Sequence, residues 1–315
     1  MKPKVLITAK EVHELIPYYL KELGYETEHL PEPTEATLLQ TIQDYEGLII
    51  TTYTKVNQKV LDQARRLKFV GRVGAGLENV DLIAAKNIGV EVFNSPEGNA
   101  NAVGEHALSL LLNLMNKINI SHQEVLKGIW NREENRGEEL DGKTVGIIGL
   151  GNAGSAFARK LRGFDVEVLA YDKFRNNYGT DFIKESSIQE IANQADIISF
   201  HIPYSKDNHH IINDDFISKL KKQIYLIQTS RGAIMDTAAT LKHLKSGSIK
   251  ALGIDVYEDE PWTKGKYVKA SIYEELLSLP QVIATPHIAG WTQESKIKLA
   301  NVLMEKIKAF VLSQK

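Results

Sequence analysis

The chain has 315 residues, a formal net charge of −2, 43% hydrophobic and 25% charged residues, and no cysteine. That composition suits about two soluble domains; the near-neutral charge gives no reason to expect nucleic acid or an anionic membrane as partner. Without cysteine there are no disulfides, no thiolate zinc sites and no thiol nucleophile. The opening run VLI is too short for a signal peptide, and no window approaches the ~18 apolar residues of a membrane span. A cytoplasmic location is therefore expected.

In chain order, KVLIT (4–8) reads as a strand. EVHELIPYYLKELG (11–24) has helical spacing and a stop at Gly24, with Pro17 marking a start or a kink. EGLIITT (46–52) is a second strand, Asn57–Ala64 a helix, KFVGRV (68–73) a strand, VDLIAAKNIG (80–89) a helix, and VEVFN (90–94) a strand. Strands alternating with helices predict βαβ units and a parallel sheet. The next segment predicts one long helix over 101–127, apolar nearly all round at Ala107, Leu108, Leu110, Leu111, Leu112, Leu114 and Met115. Such a helix is expected to be buried between domains or subunits. NREENRGEELDGK (131–143) reads as a solvated linker.

From Thr144 the alternation restarts, with six strand candidates: TVGIIG, VEVLAYD (166–172), DIISFHIP (196–203), QIYLIQTS (223–230), ALGIDVY (251–257) and VIATP (282–286). A final helix covers 294–312. Between the first strand of this block and a helix near 155–164 lies VGIIGLGNAG, with Gly149, Gly151 and Gly154. A G-x-G-x-x-G turn in strand–helix context is a dinucleotide fingerprint. Its glycines serve the tight turn, the approach of a pyrophosphate and close helix–strand packing, in that order. The helix N-terminus favours phosphate. Asp172 closes the next strand at the place of the acidic residue that reads ribose hydroxyls, which favours NAD over NADP. Lys173 and Arg175 weaken that preference.

Four blocks make the chain resemble the D-isomer-specific 2-hydroxyacid dehydrogenase family: the glycine turn with Asp172, SRGAIMDTAATLKHLKSG (230–247), ALGIDVYEDEP (251–261) and TPHIAGWTQES (285–295). The resemblance implies two Rossmann-like, doubly wound, parallel-sheet α/β domains. The NAD-binding domain (99–288) would be inserted into a discontinuous, flavodoxin-like substrate domain (1–98 and 289–315), with the active site in a closing cleft. It implies that Arg231 holds the substrate carboxylate and polarises its carbonyl, that His287 gives or takes the proton, and that Glu260 orients His287. Cofactor contacts are implied for Gly149, Gly151, Asn152, Ala153, Gly154, Asp172, His201, Pro203, Asn208, Thr229, Ser230, Arg231, Asp255, His287 and Gly290, with Asp255 on the nicotinamide amide. Asn208 stands where threonine is more common. Substrate contacts are implied for Ala75, Gly76, Arg72 and Arg231, and Trp291 is expected to line the pocket.

No metal is implied. His209–His210 reads as a surface pair, with no carboxylate at ligand spacing. The helix 101–127 and KGIW (127–130) resemble the family's homodimer contact, where Trp130 anchors the interface or reaches the partner's cleft. TKV (54–56), GRVGAGLENVD (71–81) and the segment from 94 look most like the phosphoglycerate dehydrogenase branch, in a short form ending at Lys315 without regulatory domains. The implied substrate is 3-phosphoglycerate, with a place in serine biosynthesis. Thr51 departs from that branch, which carries arginine there to reach the phosphate. The alternatives are a reductase of glyoxylate, hydroxypyruvate or another small 2-keto acid and, from another class, an NADH-sensing corepressor-like binding protein.

Overall fold

The computed structural model describes residues 2–258, 260 and 271–314. Asp259 and Pro261 of the third sequence block lie outside the described residues. The chain divides into two compact units, Met1–Asn99 with Trp291–Lys315, and Ala100–Gly290.

The first unit runs β1 (Lys4–Ile7), α1 (Leu15–Glu22), β2 (Glu26–His29), α2 (Glu35–Thr41), β3 (Gly47–Ile50), α3 (Gln58–Gln63), β4 (Phe69–Arg72), α4 (Leu82–Asn87) and β5 (Glu91–Asn94). Its strands form one parallel sheet in the order β2-β1-β3-β4-β5, the flavodoxin-like winding. The central strands β1 and β3 read as apolar runs because both faces are covered. Val5, Ile7, Ile49 and Phe69 pack on one side against α1, while Leu6, Leu48, Ile50 and Val70 pack on the other against α2, α3 and α4. Pro17 is the third residue of α1, where a missing N–H leaves no hydrogen bond unmade. Asn57 and Asp81 cap α3 and α4 with their side chains. Neither β2 nor α2 is among the predicted elements. All four residues of β2 (ETEH) are exposed at the sheet edge, so no apolar alternation marks it.

The predicted long helix is two: α5 (Pro96–Met115) and α6 (Ile118–Leu126). Lys117 between them takes φ +52, a left-handed conformation that ends a helix. Much of the apolar run of α5 is buried within the second unit itself. Ala107, Leu110, Leu111, Leu114 and Met115 sit in the second unit's own core, and Gly104 lies against the backbone of Ala156–Phe157, where a Cβ would come within 2.8 Å. In the charged segment 131–143, Leu140 is buried, Glu138 donates its N–H to Met115 and its carboxylate pairs with Lys250, so part of this linker is tied down.

The second unit continues with β6 (Thr144–Ile148), α7 (Asn152–Lys160), β7 (Glu167–Tyr171), β8 (Ile183–Glu185), α8 (Ile188–Gln194), β9 (Ile197–Phe200), α9 (Asp214–Ser218), β10 (Ile224–Gln228), α10 (Thr237–Ser246), β11 (Ile249–Ile254), α11 (Ser271–Ser278) and β12 (Val282–Ala284). Among the described residues its sheet has seven strands rather than six, all parallel, in the order β12-β11-β10-β9-β6-β7-β8. The added β8 is a short edge strand with one partly buried and two exposed residues. This is the Rossmann winding, with its switch point between β6 and β9. The chain then returns to the first unit as α12 (Gln293–Ser313), whose Ala300, Leu303, Met304 and Ile307 pack with β1, β3 and β4. No helix among the described residues is long and apolar enough to cross a membrane.

Candidate active site

At the end of β6 each glycine has a different physical reason. Gly149 takes φ +95, and a Cβ there would lie 2.6 Å from the carbonyl oxygen of His201. A Cβ on Gly154 would lie 1.9 Å from the carbonyl oxygen of Gly149, so α7 meets the strand end as closely as backbone allows. A Cβ on Gly151 would meet nothing within 4 Å. Gly151 is the N-cap of α7 without a side-chain cap, and the N–H groups of Asn152 and Ala153 have no acceptor among the described residues. Uncapped helix amides facing open space suit an anion such as a pyrophosphate.

Asp172 is tied to this turn. Its Oδ2 accepts from Leu150 N–H at 2.8 Å and its Oδ1 from Phe174 N–H at 2.9 Å. Each carboxylate oxygen keeps capacity for a ribose hydroxyl. Arg175 Nη1 donates to the Leu150 carbonyl on the same turn. Two buried polar atoms at the neighbouring strand ends have no hydrogen-bond partner among the described residues, Nδ1 of His201 after β9 and Oγ1 of Thr229 after β10. Uncapped amides, an open glycine, a placed carboxylate and orphaned polar atoms together fit a dinucleotide. His201 itself is turned inward. Its Nε2 meets Ser199 Oγ at 2.9 Å, its ring packs on Phe157, and burial pushes its pKa down to about 4. Pro203 is exposed. Asn208 closes its own loop, donating to the Pro203 carbonyl at 2.5 Å and accepting from Ser205 N–H at 2.7 Å, so its amide is engaged locally.

The other half of the site lies past β10, β11 and β12. Arg231 follows β10 in an extended conformation and donates Nη1 to the Ser230 carbonyl at 2.7 Å. Gln228, fully buried and not anticipated from sequence, holds this turn. Its Oε1 accepts from the N–H and hydroxyl of Ser230, and its Nε2 donates to the Arg231 carbonyl at 3.1 Å. Gly232 brings the turn onto the next segment, since a Cβ there would lie 1.8 Å from the Tyr257 carbonyl oxygen.

The two glutamates after β11 separate by partner. Glu260 Oε2 lies 2.5 Å from His287 Nδ1, and its Oε1 accepts from Tyr257 N–H at 2.9 Å. Glu258 accepts from Thr237 N–H at 2.8 Å and meets His210 Nε2 at 2.8 Å. That contact qualifies the expectation of a surface pair for His210 alone, since His209 is exposed. The two rings stack at 3.9 Å, and His210 is half-buried on a carboxylate 48 positions away, which local spacing cannot reveal. No group of three or more potential metal ligands occurs among the described residues.

His287 is 46% exposed at the side chain and sits at φ +54, uncommon for a residue with a Cβ. Because the Glu260 carboxylate only accepts, Nδ1 carries the proton of that contact and Nε2 is left for proton exchange. Asp255, expected on a nicotinamide, is held by its own chain. It has no exposed surface, and its carboxylate accepts from Thr285 Oγ1, Ile288 N–H and Ala289 N–H at 2.6, 2.9 and 2.8 Å. It underpins the loop carrying His287. Gly290 ends that loop, half-buried.

In the first unit, Gly74 exchanges hydrogen bonds with Ser95, and Asn94 donates to the Ala75 carbonyl at 2.6 Å. The N–H groups of Ala75 and Gly76 have no acceptor among the described residues. Arg72 donates to the Val73 carbonyl at 3.2 Å and to Thr52 Oγ1 at 3.3 Å. Trp291 is 84% exposed.

A family model described as D-isomer specific 2-hydroxyacid dehydrogenase, NAD binding domain, matches residues 108–289. The chain is 33% identical over 306 residues to a D-3-phosphoglycerate dehydrogenase of Archaeoglobus fulgidus, covering 96% of this chain and 56% of that protein. It therefore spans little more than half of that relative. A hydroxypyruvate reductase of Thermotoga maritima is 34% identical over 288 residues, 91% of this chain and 90% of that one. Among solved structures, a D-lactate dehydrogenase from Aquifex aeolicus in complex with NAD and lactic acid aligns with a TM-score of 0.82 at 28% identity, covering 98% of this chain and 96% of that chain.

Proposed function

Because the chain belongs to the D-isomer specific 2-hydroxyacid dehydrogenase family, we propose that it is an NAD-dependent dehydrogenase working at C2 of a 2-hydroxy or 2-keto acid. The observation that carries this reading is the 2.5 Å contact of His287 Nδ1 with Glu260, which leaves Nε2 for the reacting oxygen. The α7 N-terminus, with Gly151, Asn152 and Ala153, and Asp172 are the residues to hold NAD. Bound there, the reduced cofactor supplies hydride to a carbonyl carbon.

The chain's own groups do the rest. Arg231 fixes the carboxylate and draws on the carbonyl oxygen through its planar donor fork. His287, protonated, gives its Nε2 proton to the developing alkoxide; neutral, it takes that proton back in oxidation. Glu260 keeps the imidazole in one tautomer throughout. The Ala75 and Gly76 amides are the first unit's candidates for an anionic group.

We favour 3-phosphoglycerate and its keto acid as the substrate pair, on the likeness of residues 54–56 and 71–81 and on Arg72. A second reading has its own support. Thr51 replaces a cation of the phosphate-binding branch, and the Arg72 guanidinium already serves Val73 and Thr52. That arrangement suits glyoxylate or hydroxypyruvate. We further assign a cytoplasmic homodimer. Its contact face is the exposed apolar set Ile118, Val125, Leu126, Ile129 and Trp130.

The test is NADH oxidation by the purified protein over a panel of 2-keto acids. A kcat/KM for phosphohydroxypyruvate at least about tenfold above hydroxypyruvate and glyoxylate supports the phosphate reading. The reverse order assigns the small-acid activity. No turnover across the panel sinks the dehydrogenase reading.

A further inference from the structure

A carboxylate without exposed surface is tolerated only where donors replace its water. Asp255 has three, and all belong to the loop that carries His287. Thr285 lies two residues before the histidine, Ile288 and Ala289 immediately after it. Tyr257 adds a hydroxyl donor to the Thr285 carbonyl at 2.9 Å. Held at both shoulders, the backbone of His287 stays in the left-handed region that it would otherwise leave.

A fourth side chain reaches this cluster from a distant part of the chain. His106, on α5, places Nε2 2.9 Å from Thr285 Oγ1 and 3.7 Å from Asp255 Oδ1. The Thr285 hydroxyl has one proton, and its 2.6 Å contact to a carboxylate that only accepts uses it. Toward His106 the hydroxyl must therefore accept, so Nε2 of His106 carries a proton. Donation runs from His106 to Thr285 to Asp255.

We propose that His106 is a positioning residue for His287. As donor to Thr285 it locks that hydroxyl onto Asp255. The carboxylate so fixed keeps the Ile288 and Ala289 amides in place, and with them the turn that aims the imidazole. The consequence for catalysis rests on the hydride-transfer reading above; the consequence for the loop does not.

The test compares H106L, H106Q and T285V in the full-length protein. It measures kcat and KM for NADH-driven reduction, and hydrogen exchange at the Ile288 and Ala289 amides. Glutamine retains an N–H donor at the same reach; leucine has none. H106L and T285V are expected to lower kcat about tenfold with KM for NADH within about twofold, because a displaced acid loses rate without loss of cofactor binding. Exchange at the two amides should speed up about tenfold while the amides of α7 keep their protection. H106Q should restore both readouts, and H106L should add nothing to T285V, as expected of residues acting in one chain of bonds.

Unchanged protection of the two amides in H106L, a glutamine variant no better than leucine, or additive effects would overturn the proposal. If the wild type turns over no 2-keto acid, the dehydrogenase reading falls. The positioning role is then decided by the two amides alone.

Discussion

At the end of β6, among the described residues, the amides of Asn152 and Ala153 have no acceptor, no side chain caps α7, and a Cβ on Gly151 would meet nothing within 4 Å. At the ends of β11 and β12 a carboxylate with no exposed surface has three donors, and the hydroxyl between it and His106 is satisfied on both sides. The two regions close the same sheet at the same ends of its strands. One leaves polar groups open for a ligand. The other uses protein groups to hold a single side chain still. Amides left without an acceptor mark where something binds, and a buried carboxylate held by the donors of one loop marks where geometry is being kept.

The largest effect expected is at the held side. H287A should lower turnover by about 10²–10⁴-fold, the range for loss of a general acid or base, while NADH affinity stays within about twofold. Steady-state rates and a direct NADH titration read the two quantities. Unchanged turnover would remove His287 from the mechanism and reduce its loop to architecture.

A matched pair in the glycine turn sharpens the comparison. G154A puts a Cβ 1.9 Å from a backbone oxygen and should cost about 3 kcal/mol of stability as overpacking. G151A adds a methyl to open space, so stability should move by no more than about 0.5 kcal/mol while NADH affinity falls. Denaturant unfolding with and without NADH separates them. Equal loss of stability in both variants would show that Gly151 is structural and that the open space is not a ligand's.

The smallest effect comes from His201, beside the open region. Burial holds its pKa at about 4 against an ordinary 6.5, so the native state refuses a proton that the unfolded chain accepts. This stability is complete above pH 6.5 and is lost as pH falls from there toward 4, by about 1.4 kcal/mol per unit. Between pH 7.5 and 5 the wild type should lose about 2 kcal/mol more than H201N in urea unfolding. An equal loss in both proteins would assign the acid sensitivity to other groups.

Much of the architecture was readable in one dimension. Strands covered on both faces are continuous apolar runs, so GLII, TVGII, IISF and IYLIQ announce themselves, and the caps at Asn57 and Asp81 stand beside the helices they start. The edge strands β2 and β8 were not readable, because their residues are mostly exposed and show no apolar pattern. The break at Lys117 was hidden for a related reason. Apolar spacing continues across it, and the left-handed residue is not a glycine.

The site divides along the same line. The glycine turn and its carboxylate were legible because sterics impose them locally: a left-handed turn, a close helix approach, an acid at the next strand end. The pairing of Glu260 rather than Glu258 with His287 depended on likeness to a family, since both are acids in one charged run. The burial of Asp255, the brace at Gln228 and the reach of His106 to Thr285 had no local signature at all. The last joins residues 179 positions apart. A residue's type states how many hydrogen bonds it can make, and the pattern around it states whether it lies in a strand or a helix. Which donor meets which acceptor, and so which polar groups remain open to a ligand, follows from distances that exist only once the sheet has brought its strand ends together.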